Sequence, residues 1–284
     1  MGNVEKARAW VNKLKLLGIE ASIVTYRPED KAYLTKYHAN GNKHTIVIPE
    51  YIEIDTARFL PNLDITGEAD IIIQGLKVNI GWLFGNNYKL RSVKLKLECD
   101  KPISLWEEFI SSSLEQIVVE GKVSSLKETF RHCSSLKELD LSKMELVECE
   151  DMGWAFHNCR SLTRIDLSNL DMSNVRSMSS IFETCVNLKD LKLGKDLGNV
   201  INMDYAFSMC SSLEEIDLEC LGSRRNSKEG IKAKSYVDLC RELKRIIFPL
   251  LDSSIMRSIE KDMFKYELVR KESNRLIYSN KNRY

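Results

Sequence analysis

Long apolar runs are missing from this chain. The longest are a handful of residues, such as Ile246 to Leu251, whereas a helix that crosses a bilayer needs about 20. No membrane-spanning helix is therefore expected. No secretory leader is expected either, because Glu5, Lys6, Arg8, Lys13 and Lys15 interrupt any N-terminal hydrophobic region. Lys at position 6 excludes the myristoylation pattern. These absences set the expectation of a cytoplasmic protein without a membrane partner. Net charge is scarce, +1 from 42 basic and 41 acidic residues, which excludes a strongly basic nucleic-acid coat and a highly charged disordered chain. The 13 glycines do not cluster, and no phosphate loop, dinucleotide fingerprint or zinc-protease motif is present.

What is present suffices for a folded core: 284 residues, 43% hydrophobic and 29% charged, the size of one large domain or two ordinary ones. The eight cysteines stand in a long chain without an export signal, so they read as reduced, buried, small hydrophobes. Charge is uneven. Residues 1–221 carry 26 basic and 33 acidic groups, and residues 222–284 carry 16 and 8.

The chain repeats itself. Cysteines at 133, 159, 185, 210 and 240 are spaced by 26, 26, 25 and 30 residues. Each is followed by Leu136, Leu162, Leu188, Leu213 or Leu243, then by Leu139, Ile165, Leu191, Ile216 or Ile246, then by Leu141, Leu167, Leu193, Leu218 or Phe248. Phe130, Phe156, Phe182 and Phe207 precede the first four cysteines by three residues, and Leu126, Met152, Met178 and Met203 precede those by four. The closing apolar-x-apolar step has period two and predicts a short strand; the stretch before it has spacings of three and four, as in one or two helical turns. One strand and one turn segment per about 25 residues make a solenoid coil. Weaker copies extend upstream: Phe84, Asn87, Leu90, Val93 and Leu95; Leu114, Ile117 and Val119, with Phe109 one residue out of register; Ile71 with Ile73; and Ile46 with Ile48. That makes about nine candidate coils, clearest over 123–220.

The segment LTRIDLSNLDMSNVRSMSSIFETCVNLKDLKL resembles the leucine-rich repeats of the BspA-like family, with its Asp-Leu-Ser-Asn, Ser-Asn-Val, Met and Phe-xx-Cys elements in order. The resemblance is strong over 123–220 and extends over 80–250. It implies a right-handed α/β solenoid with a parallel sheet on one face, and a role in protein binding, often adhesion. Residues 1–43 read as an N-terminal helical cap, 44–250 as the solenoid and 251–284 as a basic, helical C-terminal cap. In the first cap, Asn3 is placed to N-cap a helix through Leu17 that Gly18 ends; Ile23-Val24 predicts a strand, and Pro28-Glu29-Asp30 a second helix through Tyr37. In the last, Asp252-Ser253-Ser254 precedes the helical face of Ile255, Ile259 and Met263, and Leu276–Tyr278 predicts a final strand. The polar stretch 222–235 stretches one repeat and reads as a mobile loop.

Little in the sequence suggests chemistry. His132, Cys133, His157 and Cys159 would form a zinc site only if four ligands converged tetrahedrally, but the cysteines hold the inward slot and their neighbours point elsewhere. A Cys-His nucleophile fails on the same geometry, since a reactive thiol needs partial exposure. No catalytic residue, metal or cofactor is expected. The surface offers more. If the Leu/Ile ladder faces in, then Glu138, Asp140, Arg164, Asp166, Asp190, Lys192, Glu215, Asp217 and Glu219 face out on the sheet. Seven of these are acidic. They read as a hydrated face or as a site for a basic protein partner. Arg224, Arg225, Lys228, Lys232 and Lys234 either solubilise a loop or contact phosphates, which leaves nucleic acid as the alternative partner. The expected function is non-catalytic protein binding, as a scaffold or as an inhibitor carried by a phage or mobile element; surface adhesion is the other alternative.

Overall fold

The computed structural model describes residues 1–26, 29–55, 62–74, 78–79, 84, 89–110, 113–223, 230–251, 253–261, 263, 265–272 and 274–281. Its elements are α1 (Asn3–Leu16), β1 (Glu20–Tyr26), β2 (Lys31–His38), β3 (Lys43–Ile48), β4 (Gly67–Ile73), β5 (Leu90–Leu97), β6 (Gln116–Ser125), β7 (Glu138–Leu146), β8 (Arg164–Asp166), β9 (Asp190–Lys192), β10 (Glu215–Asp217), β11 (Arg245–Pro249), α2 (Ser253–Glu260), β12 (Tyr266–Lys271) and β13 (Arg275–Asn280), with a few strands of two or three residues besides. Parallel pairing links β3, β4, β5, β6 and β7 in chain order, then β8 with β9, and β10 with β11. Parallel neighbours separated by one repeat are what a coil-by-coil stack requires.

The repeat's apolar residues form columns. Phe84, Phe109, Phe130, Phe156, Phe182 and Phe207 stack with centroids 5.0–5.7 Å apart. Phe109 thus belongs to its column, and the coil is one residue short between it and Leu114. Cys133, Cys159, Cys185, Cys210 and Cys240 form a second column. Each Sγ–H donates to the carbonyl of the Phe one coil back, at 2.9–3.1 Å. A small apolar side chain with a weak donor suits that slot, because the carbonyl lies in the dry core and has a second lone pair to satisfy.

The segment before each strand from β7 to β11 is not helical. From Met152 to Asn158, alternate N–H groups leave the coil and donate to the next one: Met152 to Ser177, Trp154 to Ser179, Phe156 to Ile181 and Asn158 to Glu183, at 2.8–2.9 Å. The intervening N–H groups close turns three residues back, Ala155 to Met152 and Cys159 to Phe156, both at 3.2 Å. An α-helix aims every N–H along its own axis and could not bridge coils this way. The alternation is bought with left-handed backbone at Trp154 (φ 57°) and Asn158 (φ 63°), repeated at Ser180, Thr184, Tyr205 and Met209. The α/β expectation is therefore corrected: this is a β-solenoid with turns opposite its sheet. Spacings of three and four arise from successive turns as readily as from a helix.

Two further corrections concern the first coils and the caps. Ala69, not Ile71, lies opposite Val93, and His44 opposite Ala69, so the repeat frame starts two residues earlier there; a two-residue shift leaves the inward face unchanged. The expected helix through Tyr37 is strand β2, antiparallel to β1. Helix α1 begins after Gly2 with no side-chain cap of its own. The Asp30 carboxylate caps it from afar, accepting the N–H groups of Asn3 (2.7 Å) and Val4 (3.0 Å). At the other end α2 buries Ile255 and Ile259 with Met263 beyond it, and β13 pairs antiparallel with the last ladder strand β11. Each end thus carries one helix together with antiparallel strands.

Candidate functional site

Along the sheet the Leu/Ile ladder positions face in and the residues on either side of them face solvent. Ile165 and Ile216 are buried, while Leu139 and Leu191 are half-exposed. Between them, Glu138, Asp140, Arg164, Asp190, Lys192 and Asp217 are exposed, and Asp166 and Glu215 half-buried. Glu219 lies past the end of β10, in a short 3-10 turn over Glu219–Ser223, so it is not part of the strand row expected for it.

The acidic row is largely neutralised by its neighbours. Arg164 bridges Asp166 and Asp190, both at 3.3 Å, and Lys192 reaches Asp166 at 3.3 Å, so four of the expected face residues form one surface network. Arg245 pairs with Glu215, and Arg275 lies 3.9 Å from Glu219. Glu138 accepts a hydrogen bond from Gln116 at 2.9 Å. Upstream, Lys94 and Lys143 converge on Glu120 at 3.0 and 3.4 Å. Apart from Arg164 on Asp166, these pairs join neighbouring strands, a relation that a strand-by-strand reading does not expose.

Three of the aspartates also shape the backbone. Asp140, Asp166 and Asp217 accept the N–H two residues on, from Ser142, Ser168 and Glu219, at 2.8–3.1 Å. At Asp166 and Asp217 these Asx turns end the strands, while Asp140 makes the same contact inside β7. The Ser168 hydroxyl, its N–H and Lys192 hold the Asp166 carboxyl down at about 2, and Ser142 holds Asp140 below the usual carboxylate range.

Strands β7 and β8 are not paired to each other, and a groove opens between them. Leu139 lies in it, with Glu138, Asp140, Arg164 and Asp166 along it and Ser168 and Asn169 at one end. Asn169 donates to the Leu141 carbonyl at 3.1 Å, so a side chain bridges the gap the backbone leaves. Ser168 and Asn169 belong to the Asp-Leu-Ser-Asn element, and their place at the groove was a signal the sequence reading left unused.

Of the basic candidates, Arg224, Arg225 and Lys228 lie outside the described residues. Lys232 and Lys234 are exposed, yet their backbones belong to the turn ladder: Lys232 donates to Ile201, and the Lys232 and Lys234 carbonyls accept from Met203 and Tyr205. The loop expected over 222–235 therefore ends before Ile231, which is buried. Lys234 Nζ lies 5.6 Å from the Tyr205 ring centre.

The rings of His132 and His157 meet edge to face at 5.1 Å, but Cys133 and Cys159 point into the core, donating to Phe109 and Phe130. The four do not converge, and among the described residues no group of three or more His, Cys, Asp or Glu side chains is placed to hold a metal ion. Burial lowers both histidine pKa values. Burial likewise raises the thiol of Cys185 to about 12, as it does for Cys220 and Cys240, which makes them poor nucleophiles.

The stacked parallel coils and apolar columns define a leucine-rich-repeat solenoid. The BspA type leucine-rich repeat region matches in six copies over residues 81–153, 104–221 and 152–270. The chain belongs to this family, whose repeats form a protein-interaction fold. No curated protein matches the chain significantly. Two solved structures are similar. A leucine rich cell surface protein from Faecalibacterium prausnitzii shares 17% identity, with a TM-score of 0.44, over 88% of this chain and 55% of that one. A leucine-rich repeat protein from Bacteroides ovatus shares 18%, with a TM-score of 0.43, over 80% of this chain and 69% of that one. The chain spans about half the length of the first. Among the described residues no helix is long and apolar enough to cross a membrane.

Proposed function

We propose that the chain is a non-catalytic protein-binding module that takes a partner with exposed Lys or Arg side chains on its sheet face. The groove between β7 and β8 carries this reading, because it joins a half-exposed Leu139 to the carboxylates of Glu138, Asp140 and Asp166. An apolar floor with a charged rim is the composition of a protein-binding patch. Asp190, Glu215, Asp217 and Glu219 extend the charged surface along the coils. The partner's cations would compete with Arg164 and Lys192 for the same carboxylates. Such exchange of surface ion pairs changes little affinity but sets specificity and encounter rate.

The test is affinity capture from the native host lysate, with and without nuclease, using the wild type and the Asp140→Asn/Asp166→Asn/Asp217→Asn variant. Asn keeps the turn-closing acceptor and removes the charge, so the fold is retained. A stoichiometric protein that survives nuclease and is lost with the variant supports the reading; retention by the variant refutes the sheet face. Recovery of nucleic acid alone, lost on neutralising Arg224, Arg225 and Lys228, moves the function to the basic segment. A captured enzyme whose activity falls on binding marks an inhibitor, and one unaffected marks a scaffold. The cytoplasmic location expected from the sequence belongs to the same reading, and cell fractionation tests it.

A further inference from the structure

Helix α1 ends in a Schellman turn: Gly18, at φ 73°, donates to the Lys15 carbonyl at 3.1 Å and Ile19 to the Leu14 carbonyl at 3.0 Å. The turn sends the chain back toward the core through Ile19 and leaves Leu16 and Leu17 outside, 87% and 66% exposed. Apart from the half-buried Val11, the other apolar residues of α1 that could join them are already used. Val4 and Ala7 are buried, and Trp10 and Leu14 pack on the core. The adjacent leucines therefore protrude from the end of a helix rather than line a hollow.

Cations flank them on the helix surface. At 100° per residue, Lys6 and Lys13 fall on one flank of the exposed face and Arg8 and Lys15 on the other, with Glu5 the one acid of α1. Arg8, Lys13 and Lys15 make no ion pair among the described residues. Beyond the turn, Lys43 and His44 border a shallow groove beside Leu17.

We propose that this end of the molecule docks on an anionic lipid surface, with Leu16 and Leu17 entering the headgroup boundary and Lys6, Arg8, Lys13 and Lys15 facing lipid phosphates. A protruding apolar pair suits a deformable apolar layer, whereas a protein pocket would have to be shaped to receive it. A collar of cations on both flanks suits a planar field of negative charge. The earlier expectation of no membrane partner rested on the lack of a spanning run, and surface docking needs none. Two leucines and four cations give weak, reversible, salt-sensitive attachment.

Co-sedimentation of the full chain with vesicles tests this, comparing phosphatidylcholine alone with phosphatidylcholine containing phosphatidylserine. The expected result is sedimentation with the anionic vesicles, loss of it at high salt, and an affinity reduced about tenfold or more in Leu16→Ser/Leu17→Ser and in Lys13→Glu/Lys15→Glu. All four side chains are exposed, so unchanged thermal melts confirm that the variants fold. No sedimentation with anionic vesicles overturns the proposal. So does undiminished binding by the leucine variant, or equal binding to single-stranded RNA, either of which reduces the contact to charge alone. Vesicle-free self-association abolished by Leu16→Ser/Leu17→Ser would assign the leucines to a second copy and overturn it as well. The Asp140→Asn/Asp166→Asn/Asp217→Asn variant should bind vesicles like the wild type, so this proposal and the sheet-face reading fail separately.

Discussion

Replacing Glu108 with Met should stabilise the protein. Glu108 is fully buried, and among the described residues neither of its carboxyl oxygens has a hydrogen-bond partner of good geometry, the Phe84 backbone making only a weak contact. It precedes Phe109 as Thr129, Ala155, Ile181 and Ala206 precede their phenylalanines, in a row that is otherwise apolar or, at Thr129, bonded through its hydroxyl to Leu105 at 2.9 Å. Burial raises its pKa well above the usual carboxylate range, with the Phe84 backbone working against the shift. Even protonated, an unsatisfied buried polar group costs about 1–3 kcal/mol. Met has similar length and no polar atom, so Glu108→Met should recover about that much, which for a chain of this size is a rise of a few degrees in melting temperature. The pH dependence carries the sharper test. A carboxyl whose folded pKa is raised contributes its full stability below the unfolded value, and the protein loses it as pH climbs toward the folded value. Urea melts of wild type and variant at acidic, neutral and alkaline pH should show the gain widening as pH rises. Equal slopes against pH, or a variant less stable than wild type at every pH, would refute the assignment of Glu108 as an unpaired, neutral carboxyl.

Other substitutions report on other parts of the stack. Thr184 is β-branched and sits at φ 64°, so Thr184→Asn should stabilise by about 0.5–1 kcal/mol; a destabilised variant would mean that its hydroxyl contact with Met209 outweighs the backbone strain. Gly121, at φ 111°, lies against the Leu97 carbonyl, and Gly121→Ala should cost about 2 kcal/mol or more in a chemical melt. The depressed Asp166 pKa of about 2 makes its stabilising contribution present above about pH 4 and lost as pH falls through 2; because the group is surface-screened, Asp166→Asn should cost under about 1 kcal/mol at neutral pH and flatten the acid limb of the melt.

The parts of the fold set by a column of like residues were readable in the chain. Phe130, Cys133, Leu136 and Leu139 recur because each must stack on its own kind, and that recurrence survives without coordinates. Less readable were features decided by where the next coil lies. The left-handed residues Trp154 and Asn158 have no common side-chain signature; their conformation follows from N–H groups reaching Ser179 and Glu183. Likewise Arg164 and Lys192 stand in the sequence only as the two bases among nine outward residues, while in space they are counter-ions to the acids. The aspartates at 140, 166 and 217 read as surface charge alone, although each also accepts a backbone N–H two residues on, which at 166 and 217 ends a strand. Repeat arithmetic locates a residue within its coil, but hydrogen bonds and ion pairs depend on the stagger between coils.

The stack is tied unequally on its two sides. Cross-coil hydrogen bonds run without a break through the turn segments from Glu107 to Met209, while the sheet ladder parts between β7 and β8 and again between β9 and β10. Mechanically, the turn column is the inextensible backing of a strip, and the sheet is a facing scored at two places. Under load such a strip curls toward its backing, opening at the scores, where side chains such as Asn169 and, at the second score, the Leu197 N–H to Cys220 carbonyl hydrogen bond must give way. Sheet hydrogen bonds therefore do not oppose opening along two lines across the acidic face, and curvature can change there without unzipping a strand pair.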